Sequence, residues 1–338
     1  MEVTRNEMVE SRHFGAAVVC DHKGNVLHGW GDIEQLMFPR SALKPLLAID
    51  LVESGACDHY GLGDAELSLA CASHQGEMMH KNLVESWLAR LGLSQDYLSC
   101  GVALPDDLKT AQKVIIAGDG GCRSHHNCSG KHAGYLTNAL HLKLPLKNYH
   151  SVDHAVQQRA LDVLSDMAMS DVRKNPMGID GCGLAATTMP LVDLGRAMAR
   201  YANPHGMSGA RSRAIARLQN AVRNEPLYAA GHATLVSDLL VATNGSVLAK
   251  TGSEGVLVAS LPEPGLGIAI KIADGNARPR ATALLTILEH LGCLSEAAKS
   301  ALRVYMTPPV MNSRDEPVGS IRPAPEWISA MESSRTTK

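Results

Sequence analysis

The stretch PRSALKP, Pro39 to Pro45, followed by the apolar run LLAIDLVESGA, marks where the helical part of the chain begins. Pro45 is tolerated only in or near a first turn, because deeper in a helix it removes a backbone donor and clashes with the turn before it. A helix starting here puts Ser41 and Lys44, three residues apart, on one face. The run behind them is apolar nearly all round apart from Asp50 and Glu53, which predicts a largely buried helix whose first turn opens onto a cleft. A lysine at that mouth is partly desolvated, and burial lowers an amine from its reference pKa of about 10.4 by up to several units. A neutral amine can accept a hydroxyl proton and turn the serine into a nucleophile. The plainer alternative makes Ser41 a helix cap and Lys44 a surface charge.

Outward from this turn, HFGAAVVCD and NVLHGWGD precede it as two β-favouring runs joined by HKG, whose glycine suits a hairpin. After it come segments with apolar residues three and four apart, among them KNLVESWLARLGL, CSGKHAGYLTNALHL, VDHAVQQRALDVLSDMAM and ARSRAIARLQNAV. Three further β-branched runs follow, GSVLAKTG, EGVLVASLP and LGIAIKIAD, then a helix in ARPRATALLTILEHLG. A lone hairpin is marginally stable, so strands at both ends imply that the ends meet in one antiparallel sheet. The expectation is an α+β fold: a sheet from about 13–32 and 246–274, a helical insert over about 41–243, and a polar tail over 307–338 that frays, all in a single catalytic domain, 1–338.

The chain has 338 residues, 45% hydrophobic and 20% charged, with a net charge of -2, which excludes a disordered tail or coiled coil and offers no footprint for nucleic acid. The opening MEVTRNEMVESRHFG lacks the apolar core of a secretory signal, and no later run is long enough to span a bilayer, so a cytoplasmic protein is expected. Its eight cysteines lack regular spacing, which favours buried thiols or metal ligands over a disulfide framework.

Three more clusters carry chemistry. KTG, Lys250 to Gly252, ends a predicted strand; with S-x-x-K before it, it follows the order of these elements in penicillin-recognising hydrolases, and Gly252 lets a substrate approach the backbone. ACASHQGE holds Ser73, which pairs with Lys250 as a second hydroxyl and amine or else caps a helix. HHNCSGKHAG places Cys128, Lys131 and His132 together, and MGIDGCG sets Cys182 between glycines beside Asp180. Two thiolates from distant segments suit zinc, although no C-x-x-C or H-E-x-x-H pair is present; alternatively Cys128 is a nucleophile activated by His126 or Lys131.

Taken in order, FPRSALKP, CASHQGE, HHNCSGKHAG, GIDGCG and AKTGSEGV resemble the asparaginase II family, the Rhizobium-type or class 3 L-asparaginases, over nearly the whole chain. The resemblance implies hydrolysis of L-asparagine to L-aspartate and ammonia, a fold similar to serine β-lactamases and glutaminases, and a homodimer. It implies Ser41 as nucleophile with Lys44 as its base, Ser73 and Lys250 as a second tandem, and Cys128, Lys131 and Cys182 as ligands of a zinc ion that anchors substrate or shapes the site. Asp180 looks like a residue orienting substrate or metal-bound water, Arg40 is a candidate for the substrate carboxylate, and His132 and Gly252 are placed beside the substrate. Competing expectations are a glutaminase or penicillin-recognising hydrolase with the same Ser–Lys device, and a zinc-binding protein of this fold without catalysis.

Overall fold

The computed structural model describes residues 1–333. At its centre is an antiparallel sheet in the order Val26–Trp30, Gly15–Asp21, Leu266–Ile272, Val256–Leu261, Leu248–Thr251. The two ends of the chain therefore meet in the sheet, where Ala17 lies opposite Ile270 and Val19 opposite Ile268. Successive side chains in a strand point to opposite faces. Val18 and Cys20 enter the core shared with the helical insert, while Ala17 and Val19 enter a second core behind the sheet. Burial on both faces is why the inner strands read as nearly unbroken apolar runs, whereas the edge strand Val26–Trp30 is largely exposed. The helix Leu191–Ala202 lies across the first face and Arg280–His290 covers the second.

The insert contains the helices foreseen from the apolar spacing, including Met78–Arg90, Ser129–His141, Ala155–Ala168 and Gly209–Asn224. The two acidic interruptions of the run after Lys44 are paired rather than solvated. Asp50 is buried and accepts from Arg159 Nε at 2.9 Å and from Asn138 Nδ2 at 2.5 Å, and Glu53 accepts from Arg211 Nε at 2.8 Å. A buried carboxylate is tolerated when it is paired and hydrogen-bonded.

Both chain termini depart from expectation. The tail does not fray over its described part: Pro309–Met311 and Pro317–Arg322 join Glu2–Arg5 and Met8–Arg12 in a second antiparallel sheet, and Pro325–Ser333 is helical. Val3 faces Ile321 across this sheet, and buried Glu2 is paired with Arg12 and Arg322. Each ribbon is short and polar, so its stability comes from a partner some 300 residues away, at Thr4 and Ser320. Trp327 of the last helix meets Trp30 edge-on. Residues 334–338 of the expected tail lie outside the described residues. All eight cysteines are free thiols, and no helix among the described residues is long and apolar enough to cross a membrane.

Candidate active site

The turn Arg40–Leu43 is a tight 3₁₀ turn that runs into the α-helix Lys44–Leu47, with Pro45 in its first turn as the sequence requires. Arg40 takes a left-handed backbone, φ +54°, at a cost of about 1–3 kcal/mol for a non-glycine residue. The strand end at Gly252 packs directly against this turn. A Cβ on Gly252 would lie 2.6 Å from the Pro39 carbonyl oxygen, so only glycine lets the two segments come this close. Together they wall a cavity of about 400 Å³ that Ser41, Ser73, Cys128, Asp180, Gly252 and Arg280 all line.

Lys44 is fully buried. Its Nζ lies 2.6 Å from the Ala72 carbonyl, 3.0 Å from Ser73 Oγ and 3.1 Å from the Asn127 carbonyl. Lys250, also buried, reaches the same Ser73 Oγ at 2.8 Å and the Thr251 carbonyl at 2.7 Å. Burial lowers the pKa of Lys44; burial and the charge of Lys44 lower that of Lys250 much further. Ser41 shares the turn with Lys44 as expected, yet Lys44 runs inward and bonds Ser73, while the Ser41 hydroxyl has no hydrogen bond among the described residues. Ser73 is not a helix cap: it lies in the loop after Asp64–Ala70, and the next helix starts at Met78.

The thiols meet by a different route. Cys128 precedes the helix Ser129–His141, and Asp180 to Gly183 form the turn of the hairpin Met177–Ile179 and Ala185–Thr187, with Gly183 at φ +85°. The turn brings Cys182 to the helix start, so that the Cys128, Asp180 and Cys182 ligand atoms all lie within 4.8 Å of one another. Lys131 Nζ is 3.2 Å from Cys182 Sγ and 3.5 Å from Asp180 Oδ2, and Arg40 Nε also donates to Asp180. The neighbouring Cys182 thiol pulls the Cys128 pKa well down, helped by the charges of Lys44 and Lys131; Cys182 is pushed up in return. Burial acts to lower the Lys131 pKa, but Cys128, Cys182 and Asp180 outweigh it and raise it. Two sulfurs with a carboxylate and an amine in reach form a donor set that suits a tetrahedral divalent ion such as zinc.

His132 does not reach the cavity. One residue turns a helix by about 100°, which sends its ring away from Lys131 and into the interior, where Nδ1 is 2.6 Å from the Tyr149 hydroxyl. Burial lowers its pKa well below the usual imidazole value. Conversely, Arg280, Thr251 and Asn127 line the cavity without having been singled out in the sequence. KTG placed Thr251 there by adjacency, but Arg280 carried no motif and Asn127 contributes a carbonyl that no sequence pattern reports.

The family model for L-asparaginase II matches residues 1–323. The chain belongs to the L-asparaginase II family. A search of curated proteins finds no match. Solved structures similar to this family member include native Mglu at 14% identity, covering 82% of this chain and 61% of that one, with a TM-score of 0.44. A β-lactamase from Mycobacterium bovis is similar at 13% identity over 86% of this chain and 94% of its own, TM-score 0.41. A putative β-lactamase from Bacteroides dorei is similar at 14% identity over 81% of this chain and 93% of its own, TM-score 0.43. The chain thus spans 61% of the length of the Mglu chain.

Proposed function

We propose that the protein is an L-asparaginase that converts L-asparagine to L-aspartate and ammonia through a covalent serine ester. The reading rests on one observation above all: two buried amines, Lys44 and Lys250, meet on one hydroxyl, Ser73, at the wall of the cavity that Ser41 also lines. Burial of both amines favours their neutral, proton-accepting forms.

In this proposal Ser41 attacks. Its hydroxyl is unengaged and reachable from the cavity, as a nucleophile must be, while Ser73 is occupied by the amines. The Ser41 Oγ–C bond forms at the side-chain carboxamide, and Lys44 takes the hydroxyl proton, contacts between catalytic groups tightening once substrate is bound. Backbone N–H groups around the Ser41 turn and the KTG segment stabilise the oxyanion. Ser73 carries a proton between Lys44 and Lys250 and on to the nitrogen, the C–N bond breaks, and ammonia leaves. Water then cleaves the ester to release aspartate and return the proton to Ser41. A second reading, with Ser73 as the attacking group, draws on its two amine contacts; an ester found on Ser73 during turnover would decide for it against Ser41.

Cys128, Cys182 and Lys131 are the proposed zinc ligands, with Asp180 orienting the substrate or the ion's water. Bound there, zinc supplies a fixed positive centre that shapes the site and anchors a substrate group. Lys131 must lose its proton to ligate, so loading the site releases protons. The family resemblance extends the proposal to a cytoplasmic homodimer whose chain works as one catalytic domain.

The test follows ammonia release by the purified protein from asparagine and from glutamine, with β-lactam ring opening of a penicillin followed in parallel by absorbance. Faster release from asparagine than glutamine, with no ring opening of the penicillin, is expected. Turnover of either competitor without asparagine turnover overturns the assignment, and bound zinc without any turnover points to a binding protein.

A further inference from the structure

The cavity holds a cation, Arg280, that no carboxylate among the described residues pairs with. Arg280 opens the helix Arg280–His290 and lines the cavity with Ser41 and Ser73. The one hydrogen bond its guanidinium makes among the described residues is from Nη1 to the Gly252 carbonyl, at 2.9 Å, and none of their carboxylates pairs with it. The neighbouring cations differ. Arg40 and Lys131 share Asp180, and the amines of Lys44 and Lys250 can shed their charge because burial lowers their pKa values. A guanidinium cannot shed its charge in a protein, even where burial lowers its pKa as it does here. A half-buried, permanently charged fork with most of its donors unused is a site for an anionic ligand group, and the guanidinium fork matches a carboxylate with two parallel hydrogen bonds.

Resting on the asparaginase reading, we propose that Arg280, and not Arg40, binds the α-carboxylate of the substrate amino acid. The geometry ties this contact to the chemistry. The carbonyl that holds Arg280 belongs to Gly252, two residues along the chain from Lys250, whose amine lies 2.8 Å from Ser73 Oγ. An amino-acid amide anchored by its carboxylate at Arg280 presents its side chain toward the serines, and the span from anchor to serine measures side-chain length. Glutamine, one methylene longer, overshoots. A one-methylene difference discriminates by roughly 10- to 200-fold. Arg280 is therefore a positioning and specificity residue, while Arg40 serves to hold Asp180.

The experiment compares asparagine with β-alaninamide, the same molecule without its α-carboxylate, as substrates of the wild type, Arg280→Met and Arg280→Lys. The wild type should favour asparagine in kcat/KM by on the order of 100-fold, the loss expected when one partner of a charged pair is removed. Arg280→Met should abolish the preference, mostly through KM for asparagine, and leave β-alaninamide turnover within a few fold; Arg280→Lys should restore part of it. A structural role through the Gly252 carbonyl would instead depress both substrates together. An equal loss on both, an unchanged preference, or collapse of the preference in Arg40→Met overturns the proposal. Binding of aspartate and of β-alanine by titration calorimetry needs no turnover and separates the two readings. If asparagine is not hydrolysed but aspartate binds more tightly than β-alanine only while Arg280 is present, the activity assignment fails and the carboxylate site stands. If asparagine is hydrolysed and Arg280→Met, shown folded by its melting curve, binds aspartate as the wild type does, the carboxylate site fails and the activity stands.

Discussion

Replacing Ser73 by alanine removes the oxygen on which both buried amines converge. The effect on stability is limited by what the amines keep: Lys44 retains the Ala72 and Asn127 carbonyls and Lys250 retains the Thr251 carbonyl. No amine is left without an acceptor, so the cost is that of one ordinary hydrogen bond, about 0.5–1.5 kcal/mol. The effect on catalysis is larger, because among the described residues this hydroxyl is the one group that both amines bond. Loss of a positioned proton carrier is worth about 10²- to 10⁴-fold in rate. Steady-state ammonia release from asparagine measures the rate and a melting curve measures the stability. Ser73→Ala should melt cooperatively a few degrees below the wild type with turnover down by at least about 100-fold. Turnover within about threefold of the wild type, in a folded variant, removes Ser73 from the proton path and with it the reason for burying two amines together.

Activity should rise with pH through a limb set by the amines. A base acts when neutral, and burial and the Lys44 charge lower the Lys250 pKa, so kcat/KM climbs as pH rises through a value below the ordinary lysine figure of about 10.4. A limb centred at the ordinary figure, or a profile falling across that range, contradicts neutral buried lysines. Elemental analysis of protein purified without added metal should find zinc in the wild type and much less in Cys128→Ser and Cys182→Ser; equal zinc in all three refutes these ligands. Gly252→Ala forces a Cβ to 2.6 Å from the Pro39 carbonyl and should cost about 1–3 kcal/mol in denaturant unfolding as the KTG segment is pushed off the Ser41 turn. An unchanged unfolding midpoint means the two segments are not in firm contact.

What the sequence made legible follows from distance along the chain. The start of the helix at Ser41 and Lys44 is a local consequence of two prolines, and the central strands are apolar because the sheet is buried on both faces; both could be read from neighbouring residues. The glycines around Cys182 gave a local sign of an unusual turn, and Gly183 has the positive φ. The partner of Lys44 was not legible, since Ser73 lies 29 residues away and only the packed insert decides which hydroxyl the amine reaches. His132 looked like a site residue because it adjoins Lys131, but adjacency on a helix separates side chains rather than gathering them. The terminal sheet stayed hidden for the same reason as Lys44: its polar ribbons signal strand only beside each other, Val3 against Ile321. Arg280 reads in sequence as an ordinary helix-start cation, and that no carboxylate among the described residues pairs with it appears only when the cavity closes around it.

The most direct measurement of the mechanism is to quench the wild type during turnover of asparagine, digest it, and locate the aspartyl ester by mass spectrometry. The mechanism places the ester on the peptide carrying Ser41, and the amount should grow when hydrolysis is slowed. An ester on Ser73, or steady ammonia release with no ester on either serine, contradicts attack by a Ser41 hydroxyl armed by a buried lysine.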